Sequence, residues 1–346
     1  MKIAIVGLSV SSSWGNGHAT TYRSLIKGLQ RRGHDVLFYE RNETWYADNR
    51  DLPDCEWLHF YDSAASLLRA HRDDLASADA VIIGSYVRES SLLIEDLRRF
   101  ARGLLAFYDI DTPVTIAQLR EDCCEYLERK QLPKFDLYLS FSGGTVLDEL
   151  RALGARRPVA LYCSVDPDLH GPREVPNGID LGYLGTWSED RHPAVKQLLL
   201  EPAARWAEGR FAIAGPQYPD AAEWPGNVSH VAHLSPNEHA GFYCSQRFTL
   251  NVTRANMRRM GYSPSVRLFE AACCGTPVIS DYWEGLDDFF RVGEEILVAA
   301  TGDDVLGFVK EMSDGDRAAL AKAARERVLT SHTGLTRAAE LEKQLA

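Results

Sequence analysis

The sequence predicts an α/β protein of two tandem, doubly wound, Rossmann-like domains facing a central cleft. Three observations carry this. Short apolar runs bounded by turn residues alternate with stretches of helical periodicity along most of the chain. The alternation stops at a Pro- and Gly-bearing stretch, HGPREVPNG at 170–178, and then restarts. The 346 residues, 45% of them apolar, are enough for two cores of ordinary size.

In order, KIAIVGL (2–8) reads as a buried strand, TTYRSLIKGLQRRG (20–33) as a helix and HDVLFYE (34–40) as the next strand. ADAVIIGSYV (78–87), GLLAFYDID (103–111), FDLYLSFSGG (135–144) and PVALYCSVD (158–166) continue the first set. After the linker, IDLGYLG (179–185), RFAIAG (210–215), VSHVAHL, RFTLNVT and PVISD supply the second. Runs so continuously apolar suit parallel strands covered on both faces, and ligands of such sheets bind outside the carboxyl ends of the strands. The two halves share a rhythm and not a repeated sequence.

Lys and Arg number 38 against 49 Asp and Glu, a net charge of −11, with no basic block. That excludes a chain whose affinity comes from a nucleic-acid backbone. The seven cysteines include the vicinal pairs Cys123/Cys124 and Cys273/Cys274 but no C-x-x-C. An odd count with this spacing suggests neither a disulfide framework nor a zinc site, but free thiols in a reducing compartment. The start, MKIAIVGLSV, is too short an apolar run for a secretory segment, and no stretch approaches the ~18 apolar residues of a membrane span. A cytoplasmic protein is expected.

The stretch YSPSVRLFEAACCGTPVISD (262–281) is the most informative. Ser263 suits an N-cap and Pro264 the first helical position, Leu268, Ala271 and Ala272 share one face, and Gly275 is placed to end the helix. Ser263, Arg267 and Glu270 then project from about the same side. Two readings stand: an i,i+3 ion pair on a solvated face, or a ligand face where the helix N-terminus and Arg267 favour a phosphate and Glu270 accepts from sugar hydroxyls.

The loop SVSSSWGNGHAT (9–20) holds Gly15-x-Gly17, and Glu40 lies 23 residues beyond Gly17. This invites a nicotinamide-dehydrogenase reading, with glycines at a pyrophosphate and the acid on a ribose. The spacing fits poorly, because Gly15 follows the strand too late and Thr20 stands where the third glycine belongs. One wall of the interdomain cleft suits this loop better, with His18 as a base, a hydrogen-bond donor to substrate, or simply a cap on the next helix.

With these residues in view, SPSVRLFEAACCGTPVISDYWEGLDDFFRVGEEILV (263–298) resembles the donor-site signature of GT-B glycosyltransferases. It is most similar to the bacterial group that includes the CgeB-like spore maturation glycosyltransferases, near the retaining family-4 enzymes. WGNGHATTYRSLIKGLQRRGHDVLFYER, FDLYLSFSGG and LGYLGTWSEDRHPAVKQLLLEPA extend the likeness over nearly the whole chain. It implies an acceptor-side domain over 1–168, a donor domain over 169–334, and a C-terminal helix, 335–346, packing back on the first domain.

The resemblance also implies roles. Glu270 matches the acid on the ribose of a nucleotide sugar, and Ser263, Ser265, Val266 and Arg267 lie where a helix N-terminus meets the diphosphate. Gly185 and Thr186 open a loop and Arg191 matches a phosphate-neutralising cation, while Pro216, Gln217 and Tyr218 follow a strand end near the base. Two departures matter: Tyr262 stands where relatives often have a second Glu, and Thr186 where they have Arg. Arg254 is the candidate replacement for the missing cation, against the plain reading of a loop arginine paired with a surface acid.

On the acceptor side the resemblance places Trp14, Gly15, Asn16, Gly17 and His18. Asp109-Ile110-Asp111 resembles a metal-binding Asp-x-Asp, but it ends a strand of the first domain and suits a base, a partner of His18 or a turn. The implied chemistry uses no metal and no cofactor. A nucleoside-diphosphate sugar, UDP-linked among the candidates, gives its sugar to the hydroxyl of a glycan, small molecule or protein, with retention where the leaving phosphate takes the acceptor proton. A non-catalytic nucleotide-sugar binder of the same fold and an NAD-dependent oxidoreductase are the alternatives.

Overall fold

The computed structural model describes residues 1–14, 17–52, 54–176, 178–219 and 224–346. Two compact units emerge. Unit 1 comprises Met1–Ser164, Met260–Ser263 and Gly334–Ala346, and unit 2 comprises Val165–Arg259 and Pro264–Thr333.

Unit 1 is a seven-stranded parallel sheet in the order β3-β2-β1-β4-β5-β6-β7. The strands are β1 (Lys2–Gly7), β2 (Asp35–Arg41), β3 (Leu58–Tyr61), β4 (Ala80–Gly84), β5 (Leu104–Asp109), β6 (Leu137–Ser140) and β7 (Pro158–Ala160). β1 pairs in register with both β2 and β4, Ile3 lying opposite Val36 and Ala80, so the strand order reverses at β1/β4. Ile3, Ile5, Ile82 and Phe107 are each shielded from water, as an interior strand covered by helices on both faces requires. The helix Gly334–Leu345 lies against the helix His18–Arg31. Glycine makes the approach possible: a Cβ on Gly28 would overlap the Gly334 carbonyl, and one on Gly334 would overlap Ser24.

Unit 2 repeats the plan with six parallel strands in the order β10-β9-β8-β11-β12-β13. These are β8 (Ile179–Leu184), β9 (Phe211–Ala214), β10 (Val228–Val231), β11 (Gln246–Asn251), β12 (Val278–Ser280) and β13 (Leu297–Val298). Its switch point is β8/β11. Gly185, Gly215, Val252 and Asp281 each follow the carboxyl end of a strand, the edge at which ligands of this architecture bind. Among the described residues no helix is long and apolar enough to cross a membrane. Among the described residues no cysteine forms a disulfide.

Three expectations need correction. The first passage from unit 1 to unit 2 falls between Ser164 and Val165, ahead of the 168/169 boundary. The chain also returns to unit 1 at Met260–Ser263, inside the span assigned to the donor domain. The helix expected to begin at Ser263 runs Val266–Cys273 with Ser265 at its N-cap. Ser263 is held elsewhere: its hydroxyl meets Ser142 Oγ at 2.6 Å and donates to the Gly261 carbonyl at 2.8 Å. These unit 1 contacts outweigh a capping preference of about 1 kcal/mol.

Candidate functional site

The switch point of unit 2 gathers most of the residues expected to hold a donor. The helix Val266–Cys273 starts without a side-chain cap and ends at Cys274, followed by Gly275 at φ 77°. Arg267 is 7% exposed, which removes it from any solvated face. Its Nε donates to the Leu184 carbonyl at the end of β8 and its Nη1 donates to Asn251 Oδ1, 2.8 Å away at the end of β11. Its guanidinium carbon lies 4.8 Å from the Tyr183 ring centroid. One cation thus spans the two strands flanking the switch point and adds a cation–π contact. A Cβ on Gly185 would stand 2.7 Å from Arg267 Nη2, so only glycine lets the loop lie against the guanidinium.

Glu270, 4% exposed, sits in a different network. Tyr243 Oη donates to its Oε2 at 3.1 Å; His170 Nε2 lies 3.6 Å from Oε1 and His239 Nδ1 3.8 Å from Oε2. His239 and Tyr243 are one turn apart on the helix Pro236–Cys244, and His170 comes from the segment leading to β8. Burial pushes the Glu270 carboxyl up, but the two imidazoles, the Tyr243 hydroxyl and the Arg267 guanidinium outweigh it and hold it below the usual carboxylate range. Burial pulls His170 below its usual value despite the nearby carboxylate. Arg267 and Glu270 therefore form neither the surface pair nor one continuous face, but two adjacent buried clusters.

The remaining unit 2 candidates fall on the loops at the same edge. Arg191 donates to Ser188 Oγ at 2.8 Å and to the Thr186 carbonyl at 2.7 Å, bracing the loop that Gly185 opens. Trp187 N–H donates to the Pro216 carbonyl at 3.0 Å, tying that loop to the next, where Gln217 takes φ 70°. The Tyr218 ring meets His230 and Trp224 edge-on at 5.3 and 5.5 Å between centroids. Arg254 Nε lies 3.8 Å from Asp190 Oδ2, and Ala255 N–H donates to the same oxygen at 3.1 Å. Burial raises the Asp190 carboxyl, but hydrogen bonds from Ser188 and Ala255 and the charges of Arg254 and Arg191 hold it below the usual range. Arg254 is thus paired, and 39% of its side chain remains exposed.

In unit 1 the structure brings together His18, Tyr86 and Asp111. The His18 ring, on the first residue of its helix, stacks on Tyr86 at 6.1 Å and meets Phe141 edge-on at 6.4 Å. Tyr86, at φ 66°, donates through its hydroxyl to Asp111 Oδ2 at 2.8 Å. Asp109 is separate and wholly enclosed, accepting from Tyr138 Oη at 2.7 Å, Thr115 Oγ1 at 2.8 Å and Asp111 N–H at 3.2 Å. Burial pushes its carboxyl up to about 6, against the lowering effect of those three donors. A group so enclosed does not touch substrate, which corrects its expected role as a base. Trp14 is 40% exposed and Gly17 lies at the surface, while Gly15 and Asn16 lie outside the described residues.

Ser263 and Tyr262 belong to unit 1. The Tyr262 ring covers the α-carbon of Gly144, its carbonyl accepts from Gly143 N–H at 3.0 Å, and its φ is 48°. The position therefore serves packing. Glu40, the ribose acid of the dehydrogenase reading, is fully buried and accepts from Val10 N–H at 2.6 Å, Ser11 N–H at 2.8 Å, Ser11 Oγ at 2.6 Å and Ser9 Oγ at 3.1 Å. Its lone pairs close its own loop, so that reading loses its ribose ligand.

Sequence reasoning missed His170, His239, Tyr243 and Asn251. The i,i+4 spacing of His239 and Tyr243 was the available local signal.

Residues 191–343, a little under half of the chain, match the family described as glycosyl transferase-like. Solved structures similar over the whole chain include Anabaena HepE in complex with UDP and glucose, at 12% identity and TM-score 0.70, covering 100% of this chain and 99% of that one. A sucrose-phosphate synthase from Thermosynechococcus elongatus matches at 14% identity and TM-score 0.75, over 99% and 98%. An α-glucosyltransferase in complex with UDP-glucose and DNA containing an abasic site matches at 14% and 0.75, over 100% and 99%. No curated protein matches the chain in sequence.

The fold is GT-B. In this GT-B chain Arg267, Asn251, Glu270, His239 and Tyr243 lie within the segment matched by the family, and His170, Tyr183, Leu184, Gly185 and the His18–Tyr86–Asp111 group lie outside it.

Proposed function

We propose that the protein is a glycosyltransferase moving a sugar from a nucleoside-diphosphate sugar, a UDP-sugar foremost, to a hydroxyl acceptor. The observation that carries this is the uncapped N-terminus of the helix Val266–Cys273 at the β8/β11 switch point, with Arg267 braced across both strands beside Gly185. Such a terminus favours a diphosphate, and a preorganised cation stabilises the charge that develops as the diphosphate leaves. Arg191 and the exposed part of Arg254 add charge at the same edge, and Glu270 accepts from the ribose hydroxyls. Ser265 and Val266 offer backbone N–H groups, Thr186 lines the loop, and Pro216, Gln217 and Tyr218 face the base. The UDP and UDP-glucose complexes of the similar structures support uracil as that base.

Unit 1 takes the acceptor, with His18 and Asp111, linked through Tyr86, as the polar groups at its hydroxyl; Trp14, Gly15, Asn16 and Gly17 are assigned to the same acceptor loop from the sequence. Transfer proceeds without a metal and with retention, the leaving phosphate taking the acceptor proton. The acceptor is a glycan, small molecule or protein. The DNA bound in the complex of the similar α-glucosyltransferase does not carry over, because a net charge of −11 opposes a polyphosphate. Within the fold the chain stands nearest the CgeB-like group and works in the cytoplasm.

The test is thermal stabilisation of the wild type and Glu270→Ala by UDP, GDP, dTDP, ADP and NAD. A ligand at 100 times its Kd stabilises by about 2.7 kcal/mol. UDP stabilises the wild type and loses its effect in the variant. Stabilisation by NAD alone, or an unchanged response in Glu270→Ala, overturns the assignment. UDP binding without release of sugar from any UDP-sugar would favour a non-catalytic binder.

A further inference from the structure

We infer that His170, His239 and Glu270 form a binding site for a zinc-class divalent ion, and that the ion competes with the nucleotide for Glu270. The competition rests on the ribose role proposed for that carboxylate; the metal site itself does not. One ligand atom from each of the three residues can be chosen so that all lie within 4.8 Å of one another. His170 is 1% exposed, yet its Nε2, which faces Glu270, has no hydrogen-bond partner, and His239 Nδ1 has none either. An unsatisfied buried polar group is costly, so two such nitrogens facing one carboxylate mark a place built for something more.

The donor set identifies the guest. Two imidazoles and a carboxylate are borderline ligands suited to Zn²⁺ and its first-row neighbours, and three protein ligands leave a position for water. Tetrahedral ligands about 2.0 Å from an ion stand roughly 3.3 Å apart. His170 Nε2 lies 3.6 Å from Oε1 and His239 Nδ1 3.8 Å from Oε2, and the ligand atoms, all within 4.8 Å of one another, reach that spacing by closing up to about 1.5 Å. His239 keeps 16% of its side chain exposed, which gives the ion its entry. With the carboxylate engaged by a cation, a ribose hydroxyl loses its acceptor, so the ion holds the donor site shut.

The experiment uses the full chain freed of metal by a chelator. Zn²⁺ is titrated by calorimetry into the wild type, His170→Gln and His239→Gln, and Co²⁺ is added as a spectroscopic probe. UDP affinity is then measured with and without Zn²⁺, and a melt of each variant confirms that it folds. Expected are one Zn²⁺ per chain, at least a tenfold loss of affinity in each variant, visible Co²⁺ bands absent from both, and a Zn²⁺-dependent fall in UDP affinity that His170→Gln lacks. Zn²⁺ binding that is absent, or equal in all three proteins, overturns the site. Zn²⁺ lost in both variants but without effect on UDP overturns the competition. UDP that fails to bind metal-free wild type overturns the donor reading instead, and leaves the Zn²⁺ titration to decide the site.

Discussion

Replacing Asp109 with Asn tests the electrostatics of the unit 1 site. The carboxyl is fully enclosed, and burial lifts it from 3.8 to about 6 although Tyr138, Thr115 and the Asp111 N–H all donate to it. A raised native pKa means that the native state holds the proton more tightly than the unfolded chain between the two values. Stability is therefore greatest below about pH 4 and falls as pH rises towards 6. About 2.2 units at 1.36 kcal/mol each give roughly 3 kcal/mol, of which about 1.4 kcal/mol is lost above pH 5. Asn has nearly the same shape and no charge to acquire. In urea unfolding followed by tryptophan fluorescence, the stability difference between Asp109→Asn and wild type should move by about 1.4 kcal/mol in favour of the variant from pH 5 to pH 7.5. Titrating groups far from Asp109 cancel in that difference; Asp111, whose charge acts on it, does not. A difference constant across the range would mean that the carboxylate is no harder to ionise than an exposed one.

Other perturbations follow from the same contacts. Arg267→Lys leaves a compact ammonium unable to reach both the Leu184 carbonyl and Asn251 Oδ1; a loss of about 1–3 kcal/mol in unfolding experiments and a weaker UDP thermal shift are expected. Gly185→Ala, whose methyl would press on Arg267 Nη2 and Tyr183 Oη, should weaken UDP binding more than it lowers the melting temperature. Gly28→Ala should cost about 1–3 kcal/mol by forcing apart the helices His18–Arg31 and Gly334–Leu345, read as earlier urea unfolding. Transfer should retain the anomeric configuration of the donor, checked by proton NMR of the first product, and a chelator should not lower turnover.

How much of this was legible can be judged residue by residue. The interior strands were readable because a parallel strand covered on both faces must be apolar throughout, as IAIV, VIIG and LLAF are. The edge strands β3 and β13 were not: His59 and Phe60 lie half in solvent and β13 is two residues long, so neither leaves a pattern. At 262–281 the helix, its glycine stop and the following strand were visible, yet the first capping serine was wrong. Ser263 and Ser265 are equal by local rule, and a hydroxyl 121 residues away, on Ser142, decided between them.

The same limit governs the chemistry. Glu40 sits at a ribose-like spacing from a glycine loop, and only the fold reveals that Ser9, Val10 and Ser11 have already used its oxygens. Conversely, His170, His239 and Glu270 are separated by 69 and 31 residues, so no periodicity links them, although their ligand atoms come within 4.8 Å of one another. Arg267 and Glu270, three residues apart, posed a choice between an exposed pair and a shared ligand face. Burial removes the first, since a surface pair is screened and these groups are not. It also splits the second: Arg267 is satisfied by strand ends at the switch point, whereas Glu270 faces two imidazole nitrogens, His170 Nε2 and His239 Nδ1, that have no hydrogen-bond partner. A guanidinium already anchored is rigid before a diphosphate arrives, and a carboxylate ringed by unpaired nitrogens is open to a second partner. On the proposed reading, charge stabilisation at the leaving group falls to Arg267, and control over whether a donor enters falls to Glu270.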